Sequence, residues 1–170
     1  MIETIRLIIR PLTNNQLIKY MTNDGSLETD LNLNSTSMTI SDDLREALEH
    51  PILPNVEAQR KNYVYSTLWS VISKEENKMV GDLCFMGEPN TEGDIEIGYG
   101  TYEDFRKRGF MTEAVGGMIQ WAEMQPDVKS IIASTNKDNL ASSTVLQNND
   151  FLLVGETDTW FTWKLEINRQ

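Results

Sequence analysis

Apolar side chains recur every three or four positions between Met111 and Met124, where Val115, Met118, Ile119 and Ala122 form one stripe, and this predicts a helix with a buried face. Pro126 ends it. Elsewhere the period is two. Residues 4–10, TIRLIIR, predict a first strand that stops at Pro11. Tyr63 to Ser73 and Met79 to Met86 predict an antiparallel hairpin about the polar turn at Glu75 to Lys78, and a second turn leads to a strand from Ile95 to Tyr99. There Ile95, Ile97 and Tyr99 face one way, Glu96 and Gly98 the other. Val128 to Thr135 predicts a further strand, Asn139 to Asn148 a short helix and Phe151 onward a closing hairpin, in which Phe161, Trp163, Leu165 and Ile167 oppose Trp160, Thr162, Lys164 and Glu166.

Toward the N-terminus, Thr13 and Gln16 form a capping-box pattern before a short helix carrying Leu17, Ile18 and Met21. Residues 22–40 are polar and without a clear period, which predicts a loop with room for one helical turn. Ser41 can cap a second helix in which Leu44, Ala47 and Leu48 share a face, and Pro51 disfavours its continuation past His50. Strands and helices in this order predict an α+β fold, helices packed on a largely antiparallel sheet. No repeat or Pro/Gly-rich linker divides the chain, so one domain over residues 1–170 is expected.

Composition narrows the function more than the fold. A net charge of −11 argues against nucleic acid and tolerates a cationic partner, although an acidic balance also serves solubility alone. The absence of a membrane-length apolar run or a cleavable leader pattern gives a cytoplasmic expectation and no membrane partner. One cysteine, Cys84, and one histidine, His50, offer neither a disulfide nor a His/Cys metal cluster, so no metal is expected. Cys84 in the apolar GDLCFMG reads as a buried thiol, and His50 as a surface residue.

The candidate chemistry lies in residues 95–115, IEIGYGTYEDFRKRGFMTEAV. A strand ending Gly98-Tyr99-Gly100 runs into the basic loop Arg106-Lys107-Arg108-Gly109, which opens into the amphipathic helix. Helix N-terminal amides favour an anion, and glycine there lets one approach closely. A solvated basic loop is the competing reading.

These residues resemble a known family. Glu-Ile-Gly-Tyr, then Arg106-Lys107-Arg108-Gly109-Phe110-Met111 and Thr112-Glu113-Ala114, are similar to the cofactor motif of the GNAT acetyltransferases, in particular the RimJ/RimL-like branch, except that Met111 replaces a small residue. The stretch from Asn139 to Phe151 is similar to that branch's Asn-x-x-Ser-x-x-Val-Leu-Glu-Lys-x-Gly-Phe, with Asp150 for glycine, a residue that tolerates left-handed backbone. TIRLIIRPLT resembles its opening block. Residues 22–62 match no block of it.

The resemblance implies a GNAT-like mixed sheet with helices on both faces, splayed between the strands at 95–100 and 128–135 to admit acetyl-CoA. It implies transfer of acetyl to a primary amine, on a protein N-terminus or a small molecule, by direct attack in a ternary complex, and it allows a homodimer. The alternative is a weak or inactive CoA-binding regulatory module. Carried over residue by residue, Arg106, Lys107, Arg108, Gly109, Phe110 and Met111 would hold the pyrophosphate, and Ile97, Gly98 and Tyr99 the pantetheine and acetyl group. Asn139 and Ser142 would lie near the cofactor arm and sulfur. Glu96 would be the general base or merely a solvent-facing strand residue. Ser142 would donate to the leaving thiolate or only bond within its helix, and Leu146 stands where many relatives have an acidic tyrosine. Glu113 reads as a capping partner rather than a catalyst. Asp42, Asp43, Glu46 and Glu49 lie on the expected acceptor side.

Overall fold

The computed structural model describes residues 1–58 and 62–167. Strands β1 (Ile2–Glu3), β2 (Leu7–Pro11), β3 (Leu68–Ser73), β4 (Lys78–Phe85), β5 (Asp94–Thr101), β6 (Ser130–Asn136), β7 (Leu152–Glu156) and β8 (Trp160–Glu166) form one sheet in the order β1-β2-β3-β4-β5-β6-β8-β7. Every pairing is antiparallel except β5 with β6. Helices α1 (Asn14–Thr22), α2 (Ser26–Leu31), α3 (Asp42–Ala47) and α4 (Leu53–Ala58) come before β3, α5 (Phe110–Glu123) follows β5, and α6 (Leu140–Gln147) follows β6. No helix among the described residues is long and apolar enough to cross a membrane.

Alternation divides the sheet into two faces. Ile9, Val71, Gly81 and Thr101 stand in register on one, under α5, whose Met111 reaches down to Gly81 and whose Gly117 meets Ile9. Arg10, Ser70, Asp82 and Gly100 stand in register on the other, on the side of α1, whose Tyr20 reaches Asp82. The α5 face is sealed by an aromatic cluster in which Trp121 stacks on Phe85 at 5.4 Å and meets Trp69 edge-on at 5.5 Å and Tyr65 at 5.2 Å. Val115, Met118 and Ala122 are buried as their spacing predicts.

Three expectations are corrected. Pro51 does not stop the helix: a π-helical turn over Leu48–Ile52 carries α3 into α4, because the wider turn absorbs the amide that proline lacks. Tyr63–Tyr65 is a 3-10 turn and β3 begins only at Leu68, where the Trp69 indole donates back to the Val64 carbonyl at 2.9 Å. The first strand is shorter and preceded by another, since β1 folds back on β2. The capping box of Thr13 with Gln16 and the cap of Ser41 on the Leu44 amide are as expected.

Trp121→Ala should cost about 3 kcal/mol or more, because a large side chain is removed from a close-packed cluster. Ile18, 50% exposed on α1, should tolerate alanine within about 0.5 kcal/mol. Urea unfolding of both variants checks the contrast.

Candidate active site

The parallel ladder between β5 and β6 is only three residues long, Asp94 to Ser130, Ile95 to Ile131 and Glu96 to Ile132. Its start is pinned by the Ser130 hydroxyl donating to the Asp94 carboxylate, with Lys164 3.3 Å from the same group. That hydrogen bond, and Lys164 after it, hold the Asp94 carboxyl below its usual range. Beyond Glu96 the strands part: β5 stays on β4 as far as Thr101, and β6 stays on β8 as far as Asn136. Even-numbered positions of β5 spend their backbone groups on β4, as the bonds from the Met86 amide to the Glu96 carbonyl and from the Tyr102 amide to the Val80 carbonyl show. Tyr99 therefore turns its amide and carbonyl toward the gap. Its hydroxyl spans the gap and donates to the Ser142 carbonyl at 2.9 Å, and burial raises its pKa.

A cavity of about 720 Å³ occupies this opening, lined by Tyr99 to Thr101 on β5, Arg106, Lys107 and Gly109 to Met111 at the head of α5, and Asn139 and Ser142 on α6. The loop turns sharply: Lys107 has φ 60° and Gly109 φ 76°, both left-handed. A β-branched residue could not adopt the Gly109 conformation without strain. No side chain caps α5, so its first amides face the cavity as donors, and the alternating backbone makes a concave nest suited to phosphate. Met111 does not obstruct it, since the side chain is buried and runs to the space above Gly81.

The nest is braced from the N-terminus. Glu113 accepts from the Thr4 hydroxyl at 2.6 Å, the Arg6 amide at 2.7 Å and Arg6 Nε at 2.6 Å. Burial pushes the Glu113 carboxyl up, but these bonds outweigh it and the net shift is downward. Arg6 also donates to the Arg108 carbonyl at 3.0 Å and lies 4.9 Å from the Phe110 ring centre, with Arg108 4.7 Å away on the same ring. The Arg108 side chain pairs with Glu76 at 2.5 Å and is not among the residues lining the cavity.

A second cavity of about 590 Å³ lies on the α1 side of the sheet, between α3–α4 and β4–β5, and Tyr99 and Gly100 line both cavities. Its wall is mostly apolar, with Leu44, Ile52, Leu68 and Cys84. Burial pushes the Cys84 thiol up to about 12. Of the acidic side chains on α3 and the turn after it, Asp43 lines this cavity. His50 is exposed. Residues 59–61 of the expected acceptor-side stretch lie outside the described residues.

The sequence-predicted site residues thus separate into groups. Tyr99, Arg106, Lys107, Gly109, Phe110, Met111, Asn139 and Ser142 meet in one cavity, and Gly98 lines the other. Ile97 is buried on the α5 face. Glu96 is exposed where the strands part, accepts from the Ser134 hydroxyl at 3.3 Å and lines neither cavity. Asn139 spends its side-chain oxygen capping α6 through the Ser142 amide at 3.1 Å. Asp150 takes the left-handed φ of 62° expected where the motif has glycine. Sequence reasoning missed Asp82, which lines the second cavity and binds Tyr20; a lone acid inside the apolar strand GDLCF was the available signal.

The family described as acetyltransferase (GNAT) domain matches residues 6–152. An uncharacterised N-acetyltransferase of Bacillus subtilis, YjdG, is 33% identical over 95 residues, 56% of this chain and 56% of that protein. Among solved structures, a ribosomal-protein-S5-alanine acetyltransferase from Vibrio fischeri superposes with TM-score 0.70 at 16% identity, covering 98% of this chain and 96% of its own. Spermidine N-acetyltransferase from Vibrio cholerae, in complex with CoA and spermine, superposes with TM-score 0.65 at 11% identity, covering 96% of this chain and 97% of its own.

Because its bonds depress the Glu113 carboxyl, their contribution to stability is present above the ordinary glutamate range, about pH 4.3, and is lost as pH falls through the lowered value. Glu113→Gln should therefore be less stable at pH 7 by on the order of 1–2 kcal/mol, the scale of charged hydrogen bonds, and the deficit should close in acid. Thermal melts across pH measure it; a deficit independent of pH would mean that the charge is not involved.

Proposed function

The chain belongs to the GNAT acetyltransferase family, and from that premise we propose that it transfers the acetyl group of acetyl-CoA directly to a primary amine, with the amine in the second cavity. The observation that carries this reading is that Tyr99 and Gly100 line both cavities, which makes this point of β5 the junction between them. A thioester held along β5 from the first cavity would present its carbonyl carbon to a nucleophile entering from the second.

The residues present fit the cosubstrate. The nest over 107–111 supplies amide donors and Arg106 and Lys107 supply charge for the pyrophosphate. Tyr99, with its backbone groups turned to the gap, supplies strand-like bonds for the pantetheine arm and an amide for the developing oxyanion. Arg108 contributes through its backbone and through the ring it shares with Arg6, rather than as a phosphate ligand.

In the reaction the amine nitrogen forms a bond to the acetyl carbon, the carbon–sulfur bond breaks, and the thiolate leaves with the electron pair and is protonated. The Ser142 hydroxyl, on the cavity wall at the head of α6, is the proposed donor to that thiolate. Glu96, exposed at the mouth, could take a proton only through water. A covalent acetyl-enzyme is not favoured, because Cys84 is buried with its thiol pushed up to about 12 and is not a thiolate at neutral pH.

Free-thiol release from acetyl-CoA against a panel of amines and N-terminal peptides tests the reading, with converging lines expected in two-substrate kinetics and parallel lines counting against direct transfer. Gly109→Val should weaken CoA binding at least about tenfold by calorimetry, because the nest cannot keep its shape. Ser142→Ala should lower kcat by about tenfold or more with little change in the KM for acetyl-CoA; an unchanged kcat would remove Ser142 from the proton path.

A further inference from the structure

Asp82 is a carboxylic acid in the middle of β4, 7% exposed, on the wall of a mostly apolar cavity. Burying an acid in such a place is costly unless its charge is used or satisfied. One oxygen accepts from the Tyr20 hydroxyl at 2.7 Å. The Tyr102 hydroxyl is buried beside it, close enough to favour the charged carboxylate yet without a full hydrogen bond. In the register Asp82 lies directly opposite Gly100, one of the two residues that line both cavities. A side chain at Gly100 would meet nothing within 4 Å, so the way from Asp82 to that junction is open.

Resting on the acetyl-transfer reading, we propose that Asp82 is the acceptor-binding and proton-accepting residue: its carboxylate holds the ammonium of a primary amine carrying an apolar chain, and takes the proton that frees the nitrogen to attack. The apolar wall, formed by Leu44, Ile52, Leu68 and Cys84, accommodates the carbon chain. The carboxylate lies opposite Gly100 in the register, and the other acid on this wall, Asp43, lies across the cavity on α3. Proton bookkeeping is complete: one ammonium proton passes to Asp82 and later to solvent, the nitrogen bonds to the acetyl carbon as the carbon–sulfur bond breaks, and the second proton accompanies the thiolate. The exposed Glu96 need not act.

The surroundings set the expected pH dependence. Desolvation raises the Asp82 carboxyl to about 6, against the opposing hydrogen bond from Tyr20 and the neighbouring Tyr102 hydroxyl. The other charged or titratable groups facing it are Cys84 on its own strand, Asp43 of α3 across the cavity, Glu96 further along the same face of β5, and Arg10 two strands away in the same row. Asp82 therefore titrates above an ordinary carboxylate, and acid weakens its grip on the amine. Removing the Tyr20 hydroxyl withdraws a bond to the charged form, which moves the titration to higher pH.

The test uses hexylamine as probe and hexanol as its neutral counterpart, with the CoA-loaded protein in calorimetry and acetyl-CoA in the thiol-release assay. Asp82→Asn should weaken hexylamine binding at least tenfold, leave CoA affinity and hexanol binding unchanged, and lower kcat/KM for hexylamine a hundredfold or more. Tyr20→Phe should keep amine binding at pH 8 but shift its acid limb upward by half a pH unit or more, a change that a merely structural pair would not produce and that remains readable if Asp82→Asn fails to fold. Equal hexylamine affinity in wild type and Asp82→Asn, no hexylamine binding to wild type, or an acid limb unmoved in Tyr20→Phe would overturn the proposal. Wild-type amine binding that depends on Asp82 but yields no thiol would support the Asp82 site while removing the acetyl-transfer reading.

Discussion

The end of the β5–β6 ladder at Glu96 and Ile132 is the constraint on which the site depends. Each strand keeps its outer partner, so neither sheet half loses its core when the two part. The gap then exposes one strand's backbone to a ligand at little cost in stability. It is held open from the α6 side, where the Trp163 indole donates to Thr135 at 2.9 Å, Thr135 meets the Ser143 hydroxyl at 3.3 Å, and Tyr99 spans to the Ser142 carbonyl. With the Asn149 side chain donating to the Thr112 carbonyl at 3.1 Å, α6 is fastened to the head of α5. The walls of the larger cavity are thus set by packing already present.

Charge works locally here, against an acidic background. A net charge of −11 would repel a polyphosphate at long range, so on the proposed reading its attraction is short-range, from amides and the cations of the loop. Arg6, more than a hundred residues away in sequence, shapes that loop through Glu113 and the Arg108 carbonyl, while the Arg108 side chain is drawn off to Glu76. On the other face the same principle is applied to one acid. Asp82 has Tyr20 and Tyr102 for company and a mostly apolar wall around it, so a cationic amine at the junction would find a buried counter-ion there, with Asp43 across the cavity.

What could be read from the chain was whatever local chemistry decides. Thr13 and Gln16 announced their cap, the stripe through Val115, Met118 and Ala122 announced α5, and Asp150 took the left-handed backbone its motif position demands. The motif blocks foretold the splay and gathered eight residues that indeed line one cavity. Long-range partners were not legible. Proline read as a helix stop at Pro51 because a π turn, which tolerates it, leaves no local mark. Tyr63 to Tyr65 has strand-like composition, yet a 3-10 turn there lets Tyr65 reach Trp121. The pairing of the Arg108 side chain with Glu76 and its contact with Phe110, and the placing of Tyr20 and Gly100 around Asp82, are set by partners distant in sequence and leave no local signature.

The central claim is that coenzyme A lies across the gap, its pyrophosphate on the nest at the head of α5 and its arm along β5. A nitrogen–proton correlation spectrum of the labelled protein, titrated with CoA, tests it most directly. The account predicts saturable shifts at the amides of residues 107–112 and at Tyr99, with the α1 and α2 amides unmoved. Shifts confined to α1–α4, or none at all, would contradict it.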